Sequence, residues 1–343
     1  MASSAAPAPG TEETMVGTMI IADDEQDGDG DSAIGSDNES NTTSLASSVL
    51  DYNFENGRRY HKFREGRYVF PNDDREQDRE DLKHAMIMEL VGGVLHFAPI
   101  GDSPQRVLDI GTGTGIWAID MGEQYQSTEV IGTDLSPIQP KWVPPNVRFI
   151  VDDCESDWVY QPNHFDFIHG RHLAVAIRDW PKLLKQSFKH LKPGGHAEFQ
   201  EILVFPESDD GTLPQQSTLR QYFRYVNEAF EKLSIDLRAP SNLSKMFRDA
   251  GFEDVHEKVY KIPLGTWPKN PVLKKVGLFQ RTNFLEGLSA ISLAPYTRVL
   301  GWSTEALEVW LTEVRKAILD EKTHSFDYMF FVYGRKPVEA AGG

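Results

Sequence analysis

The residues best placed to do chemistry lie in one short stretch, Val107-Leu-Asp109-Ile-Gly111-Thr-Gly113-Thr-Gly115. The apolar run Arg106–Ile110 reads as a strand that stops at glycines, and Gly115–Tyr125 reads as the helix that follows. Glycines at such a hand-over let the backbone turn sharply and let a ligand approach the peptide plane. The free N–H groups of the first helical turn point at the same place. A nucleotide-type cofactor suits that geometry, and spacing narrows its class. A dinucleotide fingerprint would need its third glycine where Ile116 stands, and a P-loop would need a Gly-Lys-Ser/Thr that does not follow. The pattern present is G-x-G-x-G with an acid, Asp109, two residues ahead of the first glycine. A second acid, Asp134, closes Val130-Ile-Gly-Thr-Asp134 at the tip of the next strand, where a carboxylate can accept from both hydroxyls of a ribose.

The elements that must position these residues alternate. After the first strand and helix, strands are predicted at Val130–Thr133, Asn146–Val151 and Phe165–His169, followed by a helix near Pro181–Leu191. Leu191-Lys-Pro-Gly-Gly195 reads as a turn before a fifth strand, His196–Val204. Strands alternating with helices imply a parallel sheet covered on both faces. Beyond Phe205 come a long helical stretch, Pro214–Ser234, and a helix Asn242–Ala250 that Ser241 would cap. A strand Val255–Ile262, helical segments over 271–293 and 304–321, and a last strand Tyr328–Tyr333 complete the chain. Upstream, Glu55 to Asp74 is dense in Arg and aromatics. A helix begins near Asp74, with Leu82, Ala85, Met86 and Leu90 on its apolar face.

The glycine pattern, Asp109 and Asp134 together resemble the Rossmann-like S-adenosylmethionine-dependent methyltransferases. Phe149-Ile-Val-Asp152-Asp153-Cys154 after the third strand, Phe165-Asp-Phe-Ile-His169, and Leu191-Lys-Pro-Gly-Gly195 continue the likeness in order. Further phrases narrow it: Glu55-Asn-Gly-Arg-Arg-Tyr-His61, Glu76-Gln-Asp-Arg79, Gly115-Ile-Trp-Ala-Ile119, Asp134-Leu-Ser-Pro-Ile-Gln-Pro140 and Tyr333-Gly-Arg-Lys-Pro337 are similar to the fungal LaeA-type methyltransferases. Gly170–Trp180 fits the broader family better than the regulator itself.

The resemblance implies a class I α/β fold: a seven-stranded, mostly parallel sheet with helical additions. Residues 1–50, rich in Ala, Ser, Gly and acids and without aromatics, read as a disordered tail, because they cannot bury enough apolar surface to offset their ordering entropy. The chain thus divides into an acidic tail (1–50), a helical cap or lid (51–104) and a core (105–343) with helical inserts at about 205–250 and 263–325. The implied cofactor is S-adenosylmethionine, bound by Asp109 at the methionine ammonium, directly or through water, Gly111, Gly113 and Gly115 along the backbone, Asp134 at the ribose, and Asp153 with Cys154 at the adenine. Asp152 competes with Asp153 should the register shift by one. Cys154 is there as a small packing residue, since transfer from a sulfonium needs no enzyme nucleophile. The protein chiefly has to align the acceptor, and a base is required only for a hydroxyl or protonated amine. His169 and His172, at and past the end of the fourth strand, are the catalytic candidates, and Glu201 is a better active-site acid than Glu198. Arg58 or Arg59 is a candidate for the cofactor carboxylate, and Phe279, Phe284, Trp302 and Trp310 for the acceptor pocket.

The expected partner is a small-molecule acceptor methylated on O or N in fungal secondary metabolism. The alternative is a methyltransferase-fold regulatory subunit with nuclear protein partners. Composition bounds both. The chain has 52 acids and 35 bases, a net charge of −17, and residues 1–50 hold ten of the acids and no Lys or Arg. No basic field exists to attract nucleic acid directly. One cysteine excludes an internal disulfide. No apolar run reaches the roughly 20 residues of a membrane helix, and no signal peptide is visible. An intracellular, cytoplasmic setting is expected, or a nuclear one under the regulatory reading. No metal site is expected: Asp27-Gly-Asp29-Gly-Asp31 lacks the turn glycine and the bidentate acid of a calcium loop.

Overall fold

The computed structural model describes residues 19–20, 52–55, 57–64 and 66–338. Seven strands form one sheet: β3 (Arg106–Ile110), β4 (Glu129–Asp134), β5 (Val147–Val151), β6 (Phe165–Arg171), β7 (Leu191–Glu207), β8 (Glu253–Pro263) and β9 (Phe326–Arg335). Their order is β5-β4-β3-β6-β7-β9-β8. Only β9 runs against its neighbours. This is the mostly parallel class I methyltransferase sheet that the sequence predicts. The chain leaves β3 toward β4 on one side and later returns to β6 on the other. Such a switch point opens a crevice at the strands' carboxyl ends, where ligands of open α/β sheets bind.

Two layers cover the sheet. The helices α3 (Trp180–His190) and α5 (Leu243–Asp249) pack Leu183, Leu184, Leu243 and Phe247 against Ile168, Ala197 and Phe199 on one face. On the other, α2 (Ile116–Gln124) sets Trp117, Ala118 and Met121 on Val107, Val130 and Phe167. There too, α1 (Asp74–Val91) and α6 (Pro271–Leu293) enclose Met86, Ile87 and Val276 against Met329 and Phe331. A helical annex of α4 (Thr218–Lys232), the upper part of α6 and α7 (Thr304–Ile318) has a core of its own around Tyr222, Phe230, Leu288, Tyr296 and Leu311. Among the described residues, no helix is long and apolar enough to cross a membrane.

Several expectations change. The segment 52–61 is a hairpin, β1 (Tyr52–Glu55) with β2 (Arg58–His61), rather than a helical cap. Asn56-Gly57 between the strands is the sequence signal for it. Lys192-Pro-Gly-Gly195 lies inside β7, where the register shifts against β6, instead of forming a separate turn. Ser241 belongs to a 3₁₀ turn and bonds back to Arg238 O, so it caps no helix. Ala85 is exposed, because α1 turns a charged face inward and so displaces the apolar stripe expected there. Of the acidic tail, only Met19 and Ile20 are among the described residues. Ile20 is buried beside Tyr260 and Trp267, and its N–H donates to Asp209.

Candidate active site

The glycine loop sits between β3 and α2. Gly111, Gly113 and Gly115 have φ of 62°, 58° and 84°, a region that β-carbons disfavour. A Cβ on Gly113 would meet open space, so here the bare backbone faces the cavity. A Cβ on Gly111 would come within 2.4 Å of Leu173. The Gly113 N–H donates to Asp134 Oδ2 at 2.9 Å, and the Ser136 N–H to Oδ1 at 2.8 Å. These bonds tie the loop to the tip of β4. They still leave each carboxylate oxygen a free lone pair. Burial pushes Asp134 up to about 6, against the pull of the two N–H groups.

At the far side of the loop, Asp153 accepts from the Glu155 N–H and from Arg67, whose guanidinium is 3.3 Å away. Burial, with Asp153 next in influence, pushes the Cys154 thiol up, so it stays protonated.

Asp109 and His169 are placed differently from expectation. Asp109, His169 and Glu198 stand level on β3, β6 and β7, and neighbours at one level share a face of the sheet. That face lies under α2 and the Leu95–Ala98 loop. His169 stacks on Trp117 at 3.6 Å and bonds Asp109 Oδ1 through Nδ1 at 2.7 Å. Thr112 Oγ1 donates to Asp109 Oδ2 at 2.5 Å, and Glu198 accepts from the Phe97 and Ala98 N–H groups. Neither Asp109 nor His169 lines the cavity, and Asp109 has a partner on each oxygen. Asp109 thus braces the glycine loop from behind. His169 is wholly buried between Trp117 and Asp109 and is not part of the cavity wall.

His172 does line the cavity. It follows the end of β6 with φ 58°, an uncommon conformation for a side-chain-bearing residue, and its buried Nε2 has no partner. Burial, then Lys83 and Arg171, push its pKa well down, so the ring is neutral at physiological pH. Glu201 lies nearby, with Oε1 and Oε2 accepting from the Leu173 and Ala174 N–H groups at 2.9 Å. It thereby holds the loop that carries His172. Burial pushes its carboxyl up to about 8.

One cavity of about 260 Å³ joins these groups. Gly111, Gly113, Asp134, Asp152, Asp153 and Cys154 line one end. Phe223, Val226, Phe230, Phe284 and Ile291 wall an apolar chamber at the other. Between them lies a charged strip that sequence reasoning missed. It comprises Glu76, Arg79, Glu80 and Lys83, one face of α1, together with Arg171. Arg79 pairs with Glu76 and Glu80 and donates to Asn283 of α6. Lys83 pairs with Glu80 at 2.7 Å. Arg171 Nη2 bonds His84 Nδ1 at 2.7 Å, and His84 Nε2 reaches Asp120 at 2.9 Å. The helical i, i+3, i+4, i+7 spacing of the four α1 charges was the available signal.

A nucleoside with an amino-acid tail suits the first end: backbone open at Gly113, a carboxylate with a lone pair left on each oxygen at Asp134, and an acid at Asp153. Residues 82–257 match the family described as a methyltransferase domain. Methyltransferase pytC of Aspergillus terreus is 43% identical over 303 residues, 88% of this chain and 93% of the relative. The secondary metabolism regulator LAE1 of Cochliobolus heterostrophus is 39% identical over 289 residues, 82% of this chain and 94% of the relative. The chain belongs to the LaeA-type methyltransferases. A further relative, the protein-methionine methyltransferase laeA of Emericella nidulans, is 33% identical over 287 residues, 83% of this chain and 76% of its own. This LaeA-type chain is a methyltransferase that uses S-adenosylmethionine.

Other expected contacts are absent from the methyltransferase cavity. Arg58 pairs with Asp73, the N-cap of α1, and Arg59 bonds Asn72 and Asp74. Neither lines the site, whereas Arg67 does. Phe284 is on the cavity wall. Phe279 packs between α6 and the sheet, and Trp302 and Trp310 pack against Tyr225 in the annex.

Proposed function

We propose that this methyltransferase acts on a nucleophilic O or N of a small, largely apolar metabolite of fungal secondary metabolism. The observation that carries this reading is the continuity of the cavity from the glycine loop to the chamber walled by Phe223, Phe230 and Phe284. When bound, S-adenosylmethionine supplies an electrophilic methyl on a sulfonium, so the chain's task is to align and desolvate. In this proposal Asp134 accepts from the ribose, Gly113 meets the cofactor through bare backbone with Gly111 beside it, Gly115 leaves room for the Phe149 ring and so sets the course of the loop, and Asp153 with Cys154 lies against the adenine. Asp109 acts through Thr112 as a positioning residue. His172, neutral and unpartnered at Nε2, accepts the hydrogen bond of the acceptor's O–H or N–H and orients its lone pair. Glu201 positions His172. Residues 52–91 form the lid over the core that begins at β3, and the annex of α4, α6 and α7 supplies the acceptor wall.

A second reading has support in the names of relatives described as secondary metabolism regulators. Under it, the protein methylates or binds a protein partner, and works in the nucleus rather than the cytoplasm. Incubation of the full chain with methyl-labelled S-adenosylmethionine and a fungal extract separates the two. Label in a small molecule is expected. Label confined to protein would replace the first reading with the second.

A further inference from the structure

The cavity wall contains an acid that neither cofactor binding nor alignment of the methyl uses. Asp327 stands second in β9, level with Ile262 of β8, and is 5% exposed. Gln280 Nε2 of α6 donates to its Oδ2 at 3.2 Å. Its Oδ1 is buried without a partner. Both Asp327 and Gln280 line the cavity, with Phe284 one turn further along α6. Burial pushes the Asp327 carboxyl up to about 7, and the Gln280 bond is the influence that opposes it. No cation among the described residues is one of the causes. Elsewhere on the wall, by contrast, Arg79 and Lys83 are paired with acids. A buried carboxyl that keeps a bare oxygen is expensive unless something outside the chain completes it.

We propose that Asp327, with Gln280, recognises the methyl acceptor by receiving a basic nitrogen on an otherwise apolar molecule. The inference rests on the small-molecule methyltransferase reading and makes its substrate class specific. An ammonium brings both the donor that Oδ1 lacks and the positive charge the chain does not provide there. A hydroxyl supplies the donor without the charge, and a carboxylate would be repelled. The hydrocarbon part of such a molecule lies against Phe223, Val226, Phe230 and Phe284. A purely structural Asp327, linking β9 to α6 through Gln280, would show no preference among ligands.

The probes are 4-phenylbutylamine and 4-phenylbutan-1-ol, titrated at pH 8 into the full chain saturated with S-adenosylhomocysteine, with binding read by calorimetry. Wild type should bind the amine about tenfold more tightly than the alcohol. Asp327→Asn should bring the two within about threefold while its affinity for S-adenosylhomocysteine stays at the wild-type value. Equal binding of both probes by wild type would overturn the proposal, and this comparison needs no variant to fold. A preference retained by Asp327→Asn would overturn it as well. Failure of S-adenosylhomocysteine to bind wild type would remove the methyltransferase reading together with this one. Cofactor binding without amine preference would remove only the role of Asp327.

Discussion

Asp134→Asn is the substitution whose consequence follows most directly from the geometry. The carboxylate accepts the Gly113 and Ser136 N–H groups, one on each oxygen, and keeps a lone pair on each for a ribose hydroxyl. Asparagine has the same shape but no charge and only one oxygen. One ribose bond is lost and the other is no longer charge-assisted. At roughly 1.5–3 kcal/mol for each charge-assisted bond, the expected loss is about 3–4 kcal/mol, or a Kd raised by about 10² to 10³. The amide nitrogen also faces a backbone N–H, which lowers folding stability by about 1–3 kcal/mol. A second signature comes from pH. Burial raises Asp134 to about 6, so the carboxylate is present above that pH and lost below it. Wild-type affinity should therefore fall about tenfold from pH 7 to pH 5, a dependence that Asp134→Asn removes. Calorimetric titration of S-adenosylhomocysteine into both proteins, with circular dichroism to verify folding, measures each quantity. A folded Asp134→Asn protein within threefold of wild-type affinity at pH 7 would refute the ribose assignment.

The two histidines should separate cleanly. His172→Ala should lower kcat about 10²-fold with unchanged S-adenosylhomocysteine affinity. His169→Ala should instead lower stability by about 2–4 kcal/mol in urea unfolding, because it leaves Asp109 Oδ1 unmet and opens a void against Trp117. Gly113→Ala should cost only about 1 kcal/mol of stability, since its Cβ enters open space, yet it should block cofactor binding in the same titration. Gly111→Ala should lower the urea midpoint by the equivalent of about 1–2 kcal/mol, because its φ of 62° strains a side-chain-bearing residue and its Cβ must displace a Leu173 methyl. Deleting residues 1–50 should preserve methyl transfer but reduce stability by about 1–2 kcal/mol, through loss of the buried Ile20 and its bond to Asp209.

The succession of strands and helices along the chain and the position of the cofactor loop were legible in the sequence because both rest on local chemistry. Glycines at 111, 113 and 115 mark backbone that only glycine adopts easily, and the β-branched runs at 106–110 and 129–134 have no other stable use than paired strands. Asp134 could be read from its place at a strand tip. The roles of Asp109 and His169 could not. Their position under α2, out of the cavity, depends on the register of β3 with β6 and on Trp117 of α2 lying over them. Polar residues in a strand look alike from the sequence whether they face a cavity or a helix. The same holds for α1, whose inward charges resemble a solvated face until α6 closes over them. It holds too for Phe279, Trp302 and Trp310, which looked like pocket walls and proved to be packing. Ile20 looked like part of an unstructured tail until the surface that buries it was seen. The sequence by itself determined what is fixed within a few residues: the turns, the strands and the cofactor loop between them. Only the tertiary structure decided which side chains share the cavity, because that depends on contacts between segments far apart in the chain, such as Asp327 with Gln280 and Glu201 with Leu173.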